Sequence, residues 1–164
     1  MHLQTADEAA SARVAARALQ SDDAIVRARL WSSLGWSPEP WLTRAVLPIG
    51  LDPRVRVNEV FAALDTALNR GDTRAAAYTW FEANVDAMFN RISRDGRGGT
   101  PWVAARFCSR EGAERARAFF TPRLAEIPGS QVQLERALET VAVCAAERER
   151  QSQSLTAAFG AAAR

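Results

Sequence analysis

Cys108 is the residue best placed to do chemistry, within the segment RFCSREGAERARAFF. Ser109 is a residue type that commonly begins a helix as its N-cap, and Arg106 and Arg110 flank the cysteine. A helix N-terminus and nearby cations lower the pKa of a thiol and favour the nucleophilic thiolate. A catalytic cysteine also needs a general base, and the only histidine, His2, is near the chain terminus. We therefore expect Cys108 to be a small apolar residue packed beneath a helix, and a thiol-dependent enzyme to be a remote alternative.

The second cysteine, Cys144, follows Cys108 by 36 positions. Two free thiols in a reducing compartment are the default expectation, and a single disulfide stays open as the alternative. Cys144 falls on the apolar side of the last predicted helix, which predicts a core position. The two cysteines make at most half of a zinc site, and no CxxC pair accompanies them, so the sequence predicts no metal site in this chain.

Other catalytic chemistry finds no support in the sequence. All 21 basic residues are arginine, which removes lysine-based Schiff bases and bases. Glu111 and Glu114 alternate with arginines as on a solvated helix face, and no carboxylate pair resembles that of a glycosidase. The segment DGRGG lacks the strand and helix that flank a phosphate-binding loop. The chain alone is therefore not expected to be an enzyme.

The composition indicates one helical domain over residues 1–164. The 164 residues are 48% hydrophobic and carry a net charge of +2, with the arginines spread among 19 acids. Nucleic-acid binders concentrate their positive charge, so no nucleic-acid partner is expected. No apolar stretch reaches the approximately 20 residues of a membrane span, so we expect no membrane partner. No secretory signal is visible, and we expect a cytoplasmic protein, with an exported parent enzyme left open as the alternative.

Helix signals recur along the whole chain. Thr5 and Asp7 are candidate caps of the first helix, and Ser21 or Asp22 of the second, which Gly35 ends. The apolar spacing predicts one buried face on each helix. In the second helix this face holds Val26, Leu30 and Leu34, and in a middle helix it holds Val57, Phe61, Leu64 and Leu68. The longest periodic run holds Tyr78, Phe81, Val85, Met88 and Ile92, and the last helix holds Val132 or Leu134, Leu138, Val141 and Ala145.

These signals predict an all-α fold of about eight helices joined by short turns. No segment alternates as a strand does. Antiparallel helical hairpins stacked in a HEAT- or armadillo-like right-handed superhelix fit this pattern. Residues 151–164 are expected to form a frayed tail.

Three stretches, taken with their order and separation, resemble the C-terminal helical domain of zinc aminopeptidases. The family meant is the aminopeptidase N, puromycin-sensitive and endoplasmic-reticulum aminopeptidase group. The stretches are AAAYTWFEANVDAMFNRI, GGTPWVAARFCSREGAERARAFF and QLERALETVAVCAAERE. The residues that carry the likeness are Trp80, Phe81, Asn84, Val85, Asp86, Phe107, Cys108, Ser109, Phe119 and Phe120. The resemblance covers most of residues 20–150.

The resemblance implies a role outside the chemical step. In that family a separate upstream domain carries an HExxH zinc site, which this sequence lacks, and the C-terminal domain closes over the active-site cavity. It therefore implies that zinc is held by the parent enzyme's catalytic domain and that the partners of this chain are that domain and peptide substrates. Arginines near helix ends could bind a peptide's terminal carboxylate, and the candidates are Arg74, Arg91 and Arg106. The alternative is a stand-alone HEAT-like adaptor for a protein partner.

Overall fold

A computed structural model describes residues 8–162 of the chain, with side chains up to residue 159. The described residues form helices and turns without any strand, which confirms the predicted all-α class and the approximate number of helices. The predicted superhelix stays a prediction. His2 and the candidate caps Thr5 and Asp7 lie outside the described residues.

The described chain divides into two compact units, one ending at Ser93 and the other beginning at Arg94. The first contains α1 (Glu8–Gln20), α2 (Ala24–Leu34), a short wide turn of helix (Leu42–Val46) that runs into α3 (Leu47–Ile49), a 3-10 turn (Val57–Glu59), α4 (Ala62–Asn69) and α5 (Arg74–Phe89). Neighbouring helices of this unit pack in sequence order, α1 on α2, α2 on α4 and α4 on α5.

Helix α5 supplies much of the core of the first unit. Its periodic residues Tyr78, Phe81, Val85 and Met88 are all buried, as is Ile92 just beyond the helix. The predicted buried face of α5 is thus confirmed. Burying one such side chain contributes about 1.5–3 kcal/mol to folding, so this row orients α5 strongly.

Helix α2 turns a different face inward from the predicted one. Val26 is 38% exposed, whereas Arg27, Trp31 and Leu34 are buried. The prediction that Val26 lies on the buried face of α2 is therefore wrong. Helix α2 is rotated so that Arg27 points inward, to the buried carboxylate of Glu59. Asp23, and neither Ser21 nor Asp22, caps α2: its side chain accepts hydrogen bonds from the backbone N–H of Ile25 at 2.8 Å and Val26 at 3.0 Å.

The predicted apolar row of the middle helix is partly correct. Leu64 and Leu68 of α4 are buried. Val57 lies in the preceding 3-10 turn and is 54% exposed, because the chain is not helical between that turn and α4.

The second unit begins with 3-10 turns at Asp95–Arg97 and Thr100–Arg106, followed by α6 (Arg110–Phe120), a 3-10 segment (Thr121–Glu126) and α7 (Ser130–Ala162). Helix α7 packs against the Thr100–Arg106 turn and against α6. The buried residues of α7 are Ser130, Leu134, Ala137, Leu138 and Val141.

Beyond Val141 the long helix α7 leaves the core. Val132, one of the predicted alternatives, is 51% exposed, and no described residue after Val141 is buried. The residues from 151 to 162, for which the sequence predicts a frayed tail, continue α7, and Leu155 and Phe159 are 57% and 72% exposed. None of the described helices combines the length and apolar character that a membrane crossing requires.

Candidate functional site

A groove of about 780 Å³ lies along α6 and α7 in the second unit. Its floor is small and apolar, and includes Ala113, Val141 and Ala145. Its rim is polar and includes the charged side chains of Arg110, Arg148 and Glu149. The groove forms because α7 continues past the end of its buried face, so that its next turns stand beside the first turn of α6 without filling the space between them.

The first turn of α6 is built by local signals that the sequence predicts. Ser109 caps the helix, with its Oγ accepting a hydrogen bond from the backbone N–H of Gly112 at 3.1 Å. Gly112 is buried against Phe107, and a Cβ at this position would lie 2.6 Å from Cγ of that ring. At the other end Phe120 is fully buried and meets the half-buried Phe119 edge-on, at 5.0 Å between ring centroids. Both ends of α6 are therefore fixed by aromatic packing.

Cys108 and Cys144 form a disulfide at the side of the groove. The expectation of two free thiols is thus wrong, and the described residues contain no free cysteine. Cys144 is exposed and Cys108 half-buried, so the predicted core position of Cys144 is also wrong. The reason is that the apolar side of α7 is no longer packed beyond Val141. Cys144 therefore lies outside the core, where it bonds to Cys108 just before the α6 cap. A sulfur held in a disulfide is no nucleophile, which leaves the oxidised groove without a catalytic thiol.

Two of the three predicted peptide-binding arginines direct their guanidinium groups to backbone carbonyls. Arg74 donates to the carbonyl of Leu68 at 2.8 Å and of Asn69 at 3.3 Å, at the C-terminal end of α4. Arg91 donates to the carbonyls of Asp52 at 2.5 Å and Val55 at 2.7 Å. These bonds satisfy acceptors at a helix end and a turn, where no helical partner exists.

Arg106 is placed differently. It ends the Thr100–Arg106 turn, is exposed, and makes no ion pair or side-chain hydrogen bond among the described residues. The role of all three arginines as peptide contacts stays a prediction.

The first unit contains a buried ion pair that the sequence does not predict. Arg27 and Glu59 are 3% and 6% exposed, and the Arg27 guanidinium donates two hydrogen bonds to the Glu59 carboxylate at 2.7 and 2.6 Å. Arg27 also donates to the carbonyl of Ala18 at the end of α1, and Trp31 donates to Glu59. The only signal in the sequence is an acid, Glu59, placed beside apolar valines.

Hydrogen bonding keeps this pair charged. Burial on its own raises the pKa of Glu59, but the hydrogen bonds from Arg27, the Arg56 backbone and Trp31 outweigh it, so the pKa lies below its usual value. The hydrogen bond to Glu59 in turn raises the pKa of Arg27, against the opposing effect of burial. The pair closes α1, α2 and the Val57–Glu59 turn around one polar centre, and its role is structural.

The described residues hold no group of three or more histidine, cysteine, aspartate or glutamate side chains arranged for a metal ion. They therefore do not fit the zinc site that the resembled enzymes carry. Fold and groove together define a helical domain whose described residues form an apolar-floored groove with a charged rim.

The comparison with protein families agrees with this class. Residues 1–143 match the ERAP1-like C-terminal domain. Because the match covers most of the chain, the chain belongs to the ERAP1-like C-terminal domain family and is a C-terminal domain of an aminopeptidase. The suspected family is thereby confirmed. No curated protein matches the chain by sequence.

Proposed function

We propose that this domain helps to enclose the active-site cavity of a zinc aminopeptidase, and that it binds the part of a peptide substrate distant from the N-terminal residue being removed. Zinc and the hydrolytic step belong to the catalytic domain, which is the proposed partner. The observation that carries the proposal is the groove along α6 and α7, in a chain of the ERAP1-like C-terminal domain family.

The groove has the chemistry that an extended peptide requires. The alanine and valine floor offers apolar contact without selecting one large side chain, which suits an enzyme that must accept many sequences. Arg110 and Arg148 on the rim can each bind a carboxylate through two parallel hydrogen bonds. A peptide's C-terminal carboxylate is a negative charge that does not depend on the peptide's sequence, so these arginines would hold substrates of different sequence.

The test uses the complete aminopeptidase that contains this chain. We expect Arg110→Ala with Arg148→Ala to raise the KM for peptides of about ten residues several-fold, because each lost charge-assisted hydrogen bond weakens ground-state binding. Hydrolysis of a single aminoacyl reporter, which is too short to reach the groove, should be unchanged. Steady-state kinetics with both substrates provide the comparison.

The matched control removes two exposed arginines of the same helices that do not line the groove, Arg117 in α6 and Arg136 in α7. An equal rise in KM for the control and the groove variant would contradict the proposal, as would an equal effect on the reporter. The related expectation for the isolated chain is no hydrolysis with added zinc, and zinc-dependent turnover by the purified chain would contradict it.

A further inference from the structure

The Cys108–Cys144 disulfide joins the two walls of the groove at the point where α6 begins and α7 leaves the core. Cys108 lies immediately before Ser109, the cap of α6, and Cys144 lies within α7, three residues after Val141. Val141 is the last buried residue of the described part of α7. The disulfide is therefore the final fixed connection of α7 before its overhanging turns.

The two sulfur atoms differ in their surroundings. Cys144 is an exposed residue, whereas Cys108 is half-buried and lines the groove. An incoming thiolate must approach along the disulfide axis, so the sulfur of the exposed residue Cys144 is the easier one to attack. The sulfur that departs is then that of Cys108, whose negative charge would form at the N-terminus of α6, where the helix dipole and free backbone N–H groups favour an anion.

We propose that the Cys108–Cys144 disulfide is a site of reversible thiol–disulfide exchange, and that opening it releases the first turn of α6 from α7. A dithiol reductant attacks Sγ of Cys144, the bond between the two protein sulfurs breaks, and Cys108 leaves as a thiolate that takes up a proton. The second thiol of the reagent then attacks the mixed disulfide and releases Cys144. The protein gains two electrons and two protons, and the dithiol is oxidised to its cyclic disulfide.

Opening of the disulfide changes the groove. With the bond intact, Ser109, Arg110 and Ala113 are held at a set distance from the turns of α7 that form the opposite wall. After reduction the N-terminal half of α6 keeps its non-covalent contacts, among them the Phe107–Gly112 packing and the Ser109 cap, but loses its covalent link to α7, whereas Phe120 and Ala116 still hold the C-terminal half in the core. The width of the groove thereby depends on the redox state.

The experiment combines thiol chemistry with hydrogen exchange on the full chain. After equilibration with glutathione disulfide at neutral pH, the denatured chain should react with no maleimide reagent, and after dithiothreitol it should react at two positions. Brief treatment with reduced glutathione followed by an acid quench should give one glutathione adduct, mapped by peptide mass spectrometry to Cys144. Amides of residues 112–116 should exchange at least about tenfold faster in the reduced chain, because their hydrogen bonds open locally.

Two controls separate release of α6 from general unfolding. Amides of α5, in the other unit, should exchange equally fast in both redox states. The Cys108→Ser chain should match the reduced protein at residues 112–116, and its circular dichroism should show the native helix content.

Three results would each overturn the proposal: two titratable thiols after the glutathione disulfide treatment, a glutathione adduct mapped to Cys108, or exchange at residues 112–116 that is the same in both redox states. None of these measurements involves peptidase activity, so their failure is distinguishable from failure of the proposed function.

Discussion

At the scale of single residues, several arginines act as structural side chains in this protein. Arg27 joins the end of α1 to Glu59, and Arg91 binds the carbonyls of the turn around Val55. Arg70 donates to the carbonyls of Gly35 and Ser37, pairs with Asp72, and lies over the ring of Trp36 at 5.3 Å. The five donors of a guanidinium suit it to several carbonyl oxygens at once.

The buried pair Arg27–Glu59 gives the sharpest prediction at this scale. Glu59→Gln should lower the free energy of unfolding by about 3–5 kcal/mol, because it leaves the Arg27 charge buried without its counter-charge. Replacing both partners, as Arg27→Met with Glu59→Leu, should cost less than Glu59→Gln alone or Arg27→Met alone. Urea denaturation followed by circular dichroism measures all three.

The control for this prediction is the surface pair of the exposed Arg54 and the half-buried Asp52. Arg54→Met should lower the urea midpoint much less than Glu59→Gln does, because the Arg54 side chain is 71% exposed and solvent partly screens that pair. A double variant at Arg27 and Glu59 that is less stable than both single variants would show that the pair itself is strongly favourable, which contradicts our expectation.

At the scale of secondary-structure elements, helix ends are set by particular side chains. The structure assigns the cap of α2 to Asp23, whereas the neighbouring Asp22 accepts no backbone hydrogen bond there. We expect Asp23→Ala to lower the stability by about 1 kcal/mol, because two backbone N–H groups at the start of α2 lose their acceptor. Asp22→Ala is the matched control and should be nearly neutral in the same thermal denaturation. Equal effects would place the cap elsewhere.

The end of α2 depends on close approach to α4. A Cβ on Gly35 would lie 2.4 Å from the carbonyl oxygen of Ala63 and 2.5 Å from Cβ of Thr66, so backbone or a branched side chain would have to move. Gly35→Ala should therefore destabilise the chain by about 2 kcal/mol, within the range for overpacked sites. Its control is Gly71→Ala, where an added Cβ meets nothing within 4 Å. A stable Gly35→Ala chain, judged by its thermal midpoint, would contradict this packing.

At the scale of the whole molecule, carboxylates paired with arginine make the free energy of unfolding depend on pH in the acidic range. The Arg54 side chain lowers the pKa of Asp52 to about 2, Arg70 lowers the pKa of Asp72, and the pKa of Glu59 is also lowered. A carboxyl group whose folded-state pKa is depressed contributes stability above its unfolded pKa and loses it as the pH falls through the folded value.

The stability should therefore be constant from neutral pH to about pH 5, and should fall progressively from about pH 4.5 towards pH 2, the region between the unfolded and folded pKa values. Urea midpoints measured across this range provide the test. The Arg27→Met, Glu59→Leu chain should lose less stability over the same interval, because it lacks one of the three groups. A parent chain that becomes more stable on acidification would contradict the assignment of these pairs.

The disulfide also bears on the redox compartment in which the protein is expected. Paired cysteines are typical of oxidising compartments, whereas the expected free thiols went with a reducing one. The cytoplasmic localisation stays a prediction.

The sequence by itself determined the helical class, the positions of most helices, the buried row of α5 and the family. These follow from local information: periodicity over a few turns, caps such as Ser109, and a series of short motifs in fixed order. The tertiary structure alone decided the rest. Arg27 meets Glu59 across 32 residues, Cys108 meets Cys144 across 36, and Arg91 reaches Asp52 across 39. Such pairings depend on how whole helices rotate and pack, and a local pattern does not record which distant residue completes a charge, a disulfide or a groove.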